Sequence, residues 1–266
     1  MRETNNIFLS IRELVKYKDV YFYLAWRDIL VRYKQSVLGV VWILLRPLLL
    51  ALIFSFIFGR VAGLPSGGVP YAVLSLSGLL VWQFFSDSFM HGSMAFLNNV
   101  ELVTKVYFPR IIIPASILLC STLDFLIFFS FLLFAFWAFW GICFSLKILF
   151  IPLFFAWLFI FVLSVNILFS SLIVKYRDFK HLVPFVIQLG MYVTPVGYSS
   201  LIFKTKWRYI LSLNPLSSII DCFRWSILGQ GVFVHGIIIS SIVTVLLFIG
   251  GLYYLKKTEQ YFADVI

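Results

Sequence analysis

Five long apolar runs organise the chain, at residues 36–58, 71–91, 111–140, 148–174 and 236–255, with shorter polar stretches between them. A helix needs about 20 apolar residues to cross a hydrocarbon layer, and each run reaches or approaches that length. The third is longer and must tilt or protrude. A sixth run, residues 182–198, is shorter and is interrupted by Pro184, Gly190, Pro195 and Gly197. The runs are continuous rather than alternating, which predicts helices and excludes a transmembrane β-barrel. Six crossings would place both termini on one side.

The polar stretches carry their own periodicity. Over residues 11–34, Ile11, Leu14, Val15, Phe22, Ala25, Trp26, Ile29, Leu30 and Tyr33 share a face, with Arg12, Lys16, Asp19, Arg27, Arg32 and Lys34 off it. That pattern predicts a basic amphipathic helix lying on a membrane surface. Between the second and third runs, NNVELVTKVYFPR (98–110) predicts a helix of two to three turns outside the bilayer. Asn98 or Asn99 would cap it, Glu101 and Lys105 would pair one turn apart, and Pro109 would end it. Val100, Val103 and Tyr107 give it a small apolar face. A connecting loop and a docking element are both open on these residues alone. After the sixth run, KTKWRYILSLNPLSSIIDCFRWSILGQG is irregular, with Asn214 and Pro215 a favourable helix start. It predicts one or two short interfacial or re-entrant helices on the outer side, tolerable only where protein or water surrounds them.

Composition agrees with the pattern. Hydrophobic residues make up 62% of the chain, charged residues 12%, and the mean hydropathy is +1.02. A soluble domain runs at about 45–50% and about 25%, so this is an integral membrane protein, all-α in class. Of the 21 Lys and Arg, fourteen lie in the N-terminal segment, the loops after the second and fourth runs, and the C-terminal stretch; six lie on the opposite face and Arg46 inside a run. The richer face is expected to be cytoplasmic. The net charge of +10 is therefore a topology signal, spread over several loops, and does not point to nucleic acid. The expected organisation is a cytoplasmic N-terminus with the amphipathic helix (1–35), a six-span transmembrane domain (36–256) and a cytoplasmic tail (257–266). No cleavable leader is expected, since the first long run begins only near Ser36. Cys120, Cys143 and Cys222 show neither metal spacing nor a disulfide framework.

Chemistry-bearing residues are few. Arg46-Pro47 falls inside the first run, where an arginine usually faces a cavity or a partner, or snorkels to an interface. Gln83, Asp87 and His91 recur at steps of four on the second run, and Ser116, Cys120 and Asp124 on the third. Such stripes face protein or water. Asp87 and His91 supply only two ligands, too few for a metal site. No GxxxxGK[ST], HExxH, GxSxG or CxxC motif occurs, so any ATP that drives this chain is bound by another. A membrane glycosyl- or acyltransferase would need clustered acidic or histidine residues at a membrane face, and none is present. An ion-coupled secondary transporter would use Asp87, His91 and Asp124 as a relay, and an inverted repeat, its usual companion, is not evident.

Four segments carry a resemblance: WRDILVRYKQSVLGVVWILLRPL (26–48), FGRVAGLPSGGVPYAVLSLSGLLVWQFF (58–85), NNVELVTKVYFPRIIIPA (98–115) and LNPLSSIIDCFRWSILG (213–229). In this order and spacing the chain resembles the transmembrane subunit of ABC-2 type bacterial polysaccharide exporters, most of all the O-antigen branch; capsule and teichoic-acid exporters share the architecture. The resemblance implies a homodimer in the bacterial cytoplasmic (inner) membrane, with two copies of a separate ATPase that binds ATP and Mg. It implies cargo in the form of a glycan on a polyprenyl-pyrophosphate lipid, with aromatic side chains lining the path. It implies an ATPase-coupling helix carrying Asn99, Val100, Glu101, Val103, Lys105 and Tyr107. Asn214, Pro215, Asp221 and Arg224 would belong to an outer gate, and Gln83, Asp87, His91 and Asp124 would face the pathway. Arg27, Arg32, Lys34 and Arg46 would meet the pyrophosphate headgroup, since arginine pairs well with phosphate oxygens.

Overall fold

A computed structural model of the chain describes residues 16–34, 39–106 and 108–259. Expectations for residues 1–15, 35–38, Tyr107 and 260–266 lie outside the described residues. Every regular element among the described residues is helical. In chain order they are α1 (Lys18–Lys34), α2 (Gly39–Phe54, prolonged by a π-helical stretch Ser55–Val61), α3 (Tyr71–Gly92), α4 (Val100–Lys105, entered by a 3-10 turn Leu97–Asn99) and α5 (Ile112–Trp140). Then follow α6 (Ile151–Lys175, entered by a 3-10 turn Leu146–Phe150), α7 (Phe179–Val193), α8 (Thr205–Leu211), α9 (Pro215–Leu228) and α10 (Val234–Glu259). Five of these elements, built on α2, α3, α5, α6 and α10, have the length and apolarity of membrane spans, so the protein is multi-pass. Helix is the only open-ended way to satisfy backbone groups in hydrocarbon.

Helix α3 is the centre. It is the most enclosed of the five, packed against α2, α5, α6 and α9. Much of the phenylalanine content is used here: Phe84, Phe125 and Phe155 meet with ring centroids 4.5–5.8 Å apart, and Phe89 meets Phe169 at 4.9 Å. The far end of α3 packs so closely on α6 that a Cβ added at Gly92 would lie 2.2 Å from the Asn166 side-chain nitrogen. Helix α5 stops where Gly141 takes φ +59°, a left-handed conformation favourable to glycine.

The bundle has two distinct ends. At one, Leu24, Val103, Ile113, Val174 and Leu255 join a single buried cluster, bringing together α1, α4 and the ends of α5, α6 and α10. At the other, Gln230 donates to the Ser66 carbonyl at 3.0 Å, Trp225 stacks edge-on with Phe150 at 5.7 Å, and Ser240 bonds the Ser212 carbonyl at 2.7 Å. The chain leaves α6 at the first end and enters α10 at the second. Residues 176–233 connect the two, and α7 is the apolar helix among them. It differs from the expected span at 182–198. Helix α7 starts three residues earlier and stops at Val193, so its 15 residues cover about 22 Å against about 30 Å of hydrocarbon. Pro184 sits inside α7 without ending it, whereas helix gives way at Thr194-Pro195.

Helix α1 also departs from expectation. It runs alongside α5, with Leu24 packed near Ile113 and Ile117 and its last turn beside Asp124, twelve residues into that helix. At about 1.5 Å per residue it climbs well along α5 instead of lying flat at its base. Its buried residues are Leu24 and Ala25, while Phe22, Tyr23, Trp26, Leu30 and Val31 are exposed. Phe22, Trp26 and Leu30 of the face grouped in the sequence therefore point away from the protein, while Ala25 and Tyr33 of that face turn into it.

Candidate functional site

Four helices converge on a cavity of about 400 Å³. It is lined by Arg32 and Tyr33 of α1, Trp42, Ile43 and Arg46 of α2, Gln83, Asp87 and His91 of α3, and Asp124 of α5. The four-residue spacing of Gln83, Asp87 and His91 brings all three to one wall. Arg46 belongs to the span-length helix itself, so the first span does not begin after it.

The cavity is internally paired. The Arg32 guanidinium and the Tyr33 hydroxyl both donate to Asp124. Arg46 lies 3.6 Å from the nearer Asp87 oxygen and remains largely exposed, while the Gln83 amide donates to the other oxygen at 2.5 Å. Two arginines and two carboxylates thus face one another across a space large enough for a small anionic group. Residues expected to touch a headgroup and residues expected to face a pathway meet here in one place. Arg27 and Lys34 do not join them. Arg27 pairs with Asp28 at 2.7 Å and donates to the Asn99 side-chain oxygen at 2.9 Å, and Lys34 is exposed outside the cavity lining. Tyr33 and Trp42 were missed as lining residues. A signal for Trp42 existed, since it lies four residues before Arg46 and therefore on the same helical face.

The segment expected to couple to an ATPase, 98–109, holds a short helix of six residues, with Val106 extended after it. Glu101 and Lys105 pair at 3.5 Å as their spacing implies. Capping differs: neither Asn98 nor Asn99 caps it through a side chain. Asn99 donates instead to the Ala95 carbonyl at 2.9 Å and accepts from Arg27. The apolar face also differs. Val103 is 1% exposed and packs inside this chain, with Leu24 and Ile113 in the same cluster. The surface left for a partner is Asn98, Glu101, Thr104, Lys105 and Val106, with Val100 half-buried at its edge. Val103 is therefore a root of the segment and not a contact.

The four residues expected at an outer gate are structural anchors in this chain. Asn214 caps α9 by accepting from the Leu216 amide at 3.2 Å and donates to Thr194 at 2.8 Å, with Pro215 buried beside it in the first turn. Asp221 is buried and accepts from the Ser200 hydroxyl at 2.5 Å. Arg224 is 1% exposed and donates to the carbonyls of Leu74, Val196 and Tyr198 at 2.8–3.1 Å and to the Ser77 hydroxyl at 3.3 Å. Burial pushes the Asp221 carboxyl up to about 6 and draws the Arg224 guanidinium down to about 10, each opposed by the other's charge. These bonds fasten the irregular 194–203 segment to α9 and α3. Among the described residues no three His, Cys, Asp or Glu side chains come together as a metal-ligand group.

Comparison with known proteins gives a consistent result. A family model described as ABC-2 type transporter matches residues 19–228. An O-antigen export system permease protein RfbA of Klebsiella pneumoniae is 32% identical over 256 residues, covering 93% of this chain and 95% of that protein. A second protein of that name from the same organism is 32% identical over 250 residues, with the same coverage. A Myxococcus xanthus protein of that name is 27% identical over 220 residues, covering 80% of this chain and 82% of its own length.

Proposed function

This chain belongs to the ABC-2 type transporter family, and we propose that it is the membrane-spanning subunit of an ATP-driven exporter that carries a lipid-linked polysaccharide, O antigen, across the bacterial inner membrane. The ATPase is a separate chain, present in two copies, and the permease works as a homodimer with both termini in the cytoplasm. Residues 179–199 make the sixth crossing, part helix and part irregular chain held by the α9 anchors. The observation that carries the reading is the cavity, where Arg32 and Arg46 converge from two helices on one polar space that a diphosphate headgroup fits. Its α3 wall, Gln83 to His91, lies in the half of that helix nearer the end where α4 packs.

The ion-driven alternative needs Asp87, His91 and Asp124 free to exchange protons. They do share the cavity, but Asp87 and Asp124 are each partnered by an arginine there. Family membership favours the ATP-driven reading over it. One experiment tests the proposal: purify the tagged chain from cells that make the glycan, and measure surface glycan in the same cells. A stoichiometric ATPase chain should co-purify, and Arg46→Ala should lower export at normal protein level. Absence of an ATPase under conditions that preserve export would refute the assignment, and wild-type export in Arg46→Ala would remove the cavity from it.

A further inference from the structure

The charges lining the cavity balance within the chain. Arg32 and Arg46 contribute two positive charges and Asp87 and Asp124 two negative ones, with His91 and Tyr33 the remaining titratable side chains. A headgroup joined to its lipid and its glycan through a diphosphate carries two negative charges. If it entered with both carboxylates still engaged, it would find both guanidinium groups already paired. We propose that Asp87 and Asp124 stand in for the diphosphate, holding Arg46 and Arg32 until the headgroup displaces them one at a time; this rests on the reading of the cavity given above.

Each carboxylate has a second donor to fall back on. Asp87 keeps the Gln83 amide on its other oxygen, and Asp124 keeps the Tyr33 hydroxyl. Each carboxylate therefore keeps one neutral hydrogen-bond donor when its arginine turns to phosphate, and neither is left without a partner. The arginines are held unequally. Arg46 is 3.6 Å from its partner with a side chain 61% exposed, whereas Arg32 is 28% exposed and is hydrogen-bonded to Asp124. Arg46 therefore engages the headgroup first and Arg32 last. The planar guanidinium can donate to either anion bidentately, which makes a carboxylate a workable substitute for one phosphate.

The test uses the full-length chain alone in nanodiscs of zwitterionic lipid, so that no nucleotide site competes. Inorganic pyrophosphate and farnesyl diphosphate are titrated by calorimetry. Asp124→Asn should bind both about tenfold more tightly than the native chain, because a charge-assisted bond that must be broken is gone. Asp87→Asn should gain less, about threefold, since an exposed and distant pair is weak. Tyr33→Phe removes the fallback donor and should weaken binding, and it carries the test with Asp87→Asn if Asp124→Asn does not fold. An Arg32→Ala, Arg46→Ala double variant should lose binding. If the double variant loses binding while the aspartate and tyrosine variants match the native chain, the exchange is overturned and the headgroup site stands. If the double variant binds like the native chain, or nothing binds, the headgroup site itself fails and the exchange with it.

Discussion

Val103→Asp and Thr104→Arg sit next to each other on the coupling segment and should fail for different reasons. Val103 is 1% exposed, enclosed with Leu24, Phe108 and Ile113. Replacing it removes a buried valine, worth about 1.5–3 kcal/mol. It also forces a carboxylate into an apolar cluster with no cation assigned to it, which adds several kcal/mol whether the group ionises or takes up a proton. The sum is of the order of the whole stability of a typical domain, about 5–15 kcal/mol. Thr104 is exposed, and its hydroxyl only bonds back to the Val100 carbonyl at 2.9 Å. Its replacement should cost the fold no more than about 0.5 kcal/mol. An arginine there would nevertheless stand in the middle of the exposed face, where a contact at an interface centre is worth upwards of about 1 kcal/mol, or several-fold in affinity. Fluorescence-detected size exclusion measures folded protein, and pull-down measures the ATPase. Val103→Asp should lose the folded peak. Thr104→Arg should keep the peak and lose the partner. A normal peak with no partner for Val103→Asp, or full partner binding for Thr104→Arg, would mean that the segment docks through the face assigned here to the interior.

Arg224→Ala should lower the melting temperature of the purified chain by several degrees or prevent its isolation, because it leaves three buried carbonyls without their shared donor and a hole beneath Gly78; Arg224→Lys should recover only part of the loss, since three separated carbonyls need the guanidinium fork. An unchanged melting temperature for Arg224→Ala would show that the 194–203 segment is held by other means. Topology can be read with reporters: one fused after Ile266 should be cytoplasmic and one inserted near Gly67 external. An external C-terminus would mean that residues 179–199 return to the side they came from.

The sequence made the spans legible because hydrocarbon demands long unbroken apolar helices, and five such runs stand out. It made the chemistry of the cavity partly legible, since Gln83, Asp87 and His91 repeat at a helical step and Arg46 is conspicuous in an apolar run. It could not pair Arg32 with Asp124, which depends on where α1 lies against α5. Orientation failed at Val103, whose apolar face packs into this chain and not toward a partner, while the aromatic face of α1 points outward as a membrane-surface helix requires. In water an apolar face points inward, but beside lipid both sides of a helix may be apolar at no cost. Val100 and Val103 do lie close on α4, and Phe22, Trp26 and Leu30 are apolar together. Periodicity shows which residues keep company and is silent on whether protein or lipid receives them. Helix α7 begins three residues before the apolar run because Phe179, Lys180 and His181 form its first turn, and Pro184 costs it one backbone bond without ending it.

Helix α1 is bonded at Arg27 to the docking segment and at Arg32 to the cavity wall, only five residues apart on one helix. Five helical residues span about 7.5 Å and have no slack. Whatever shifts one bond reaches the other, and equilibrium makes such influence mutual. If docking at α4 changes the hold of the cavity on its occupant by some factor, an occupied cavity changes the hold on the docked partner by the same factor. A motor and its load joined in this way would report on each other without a signal of their own: under the proposed docking, the loaded protein would grip its engine differently from the idle one.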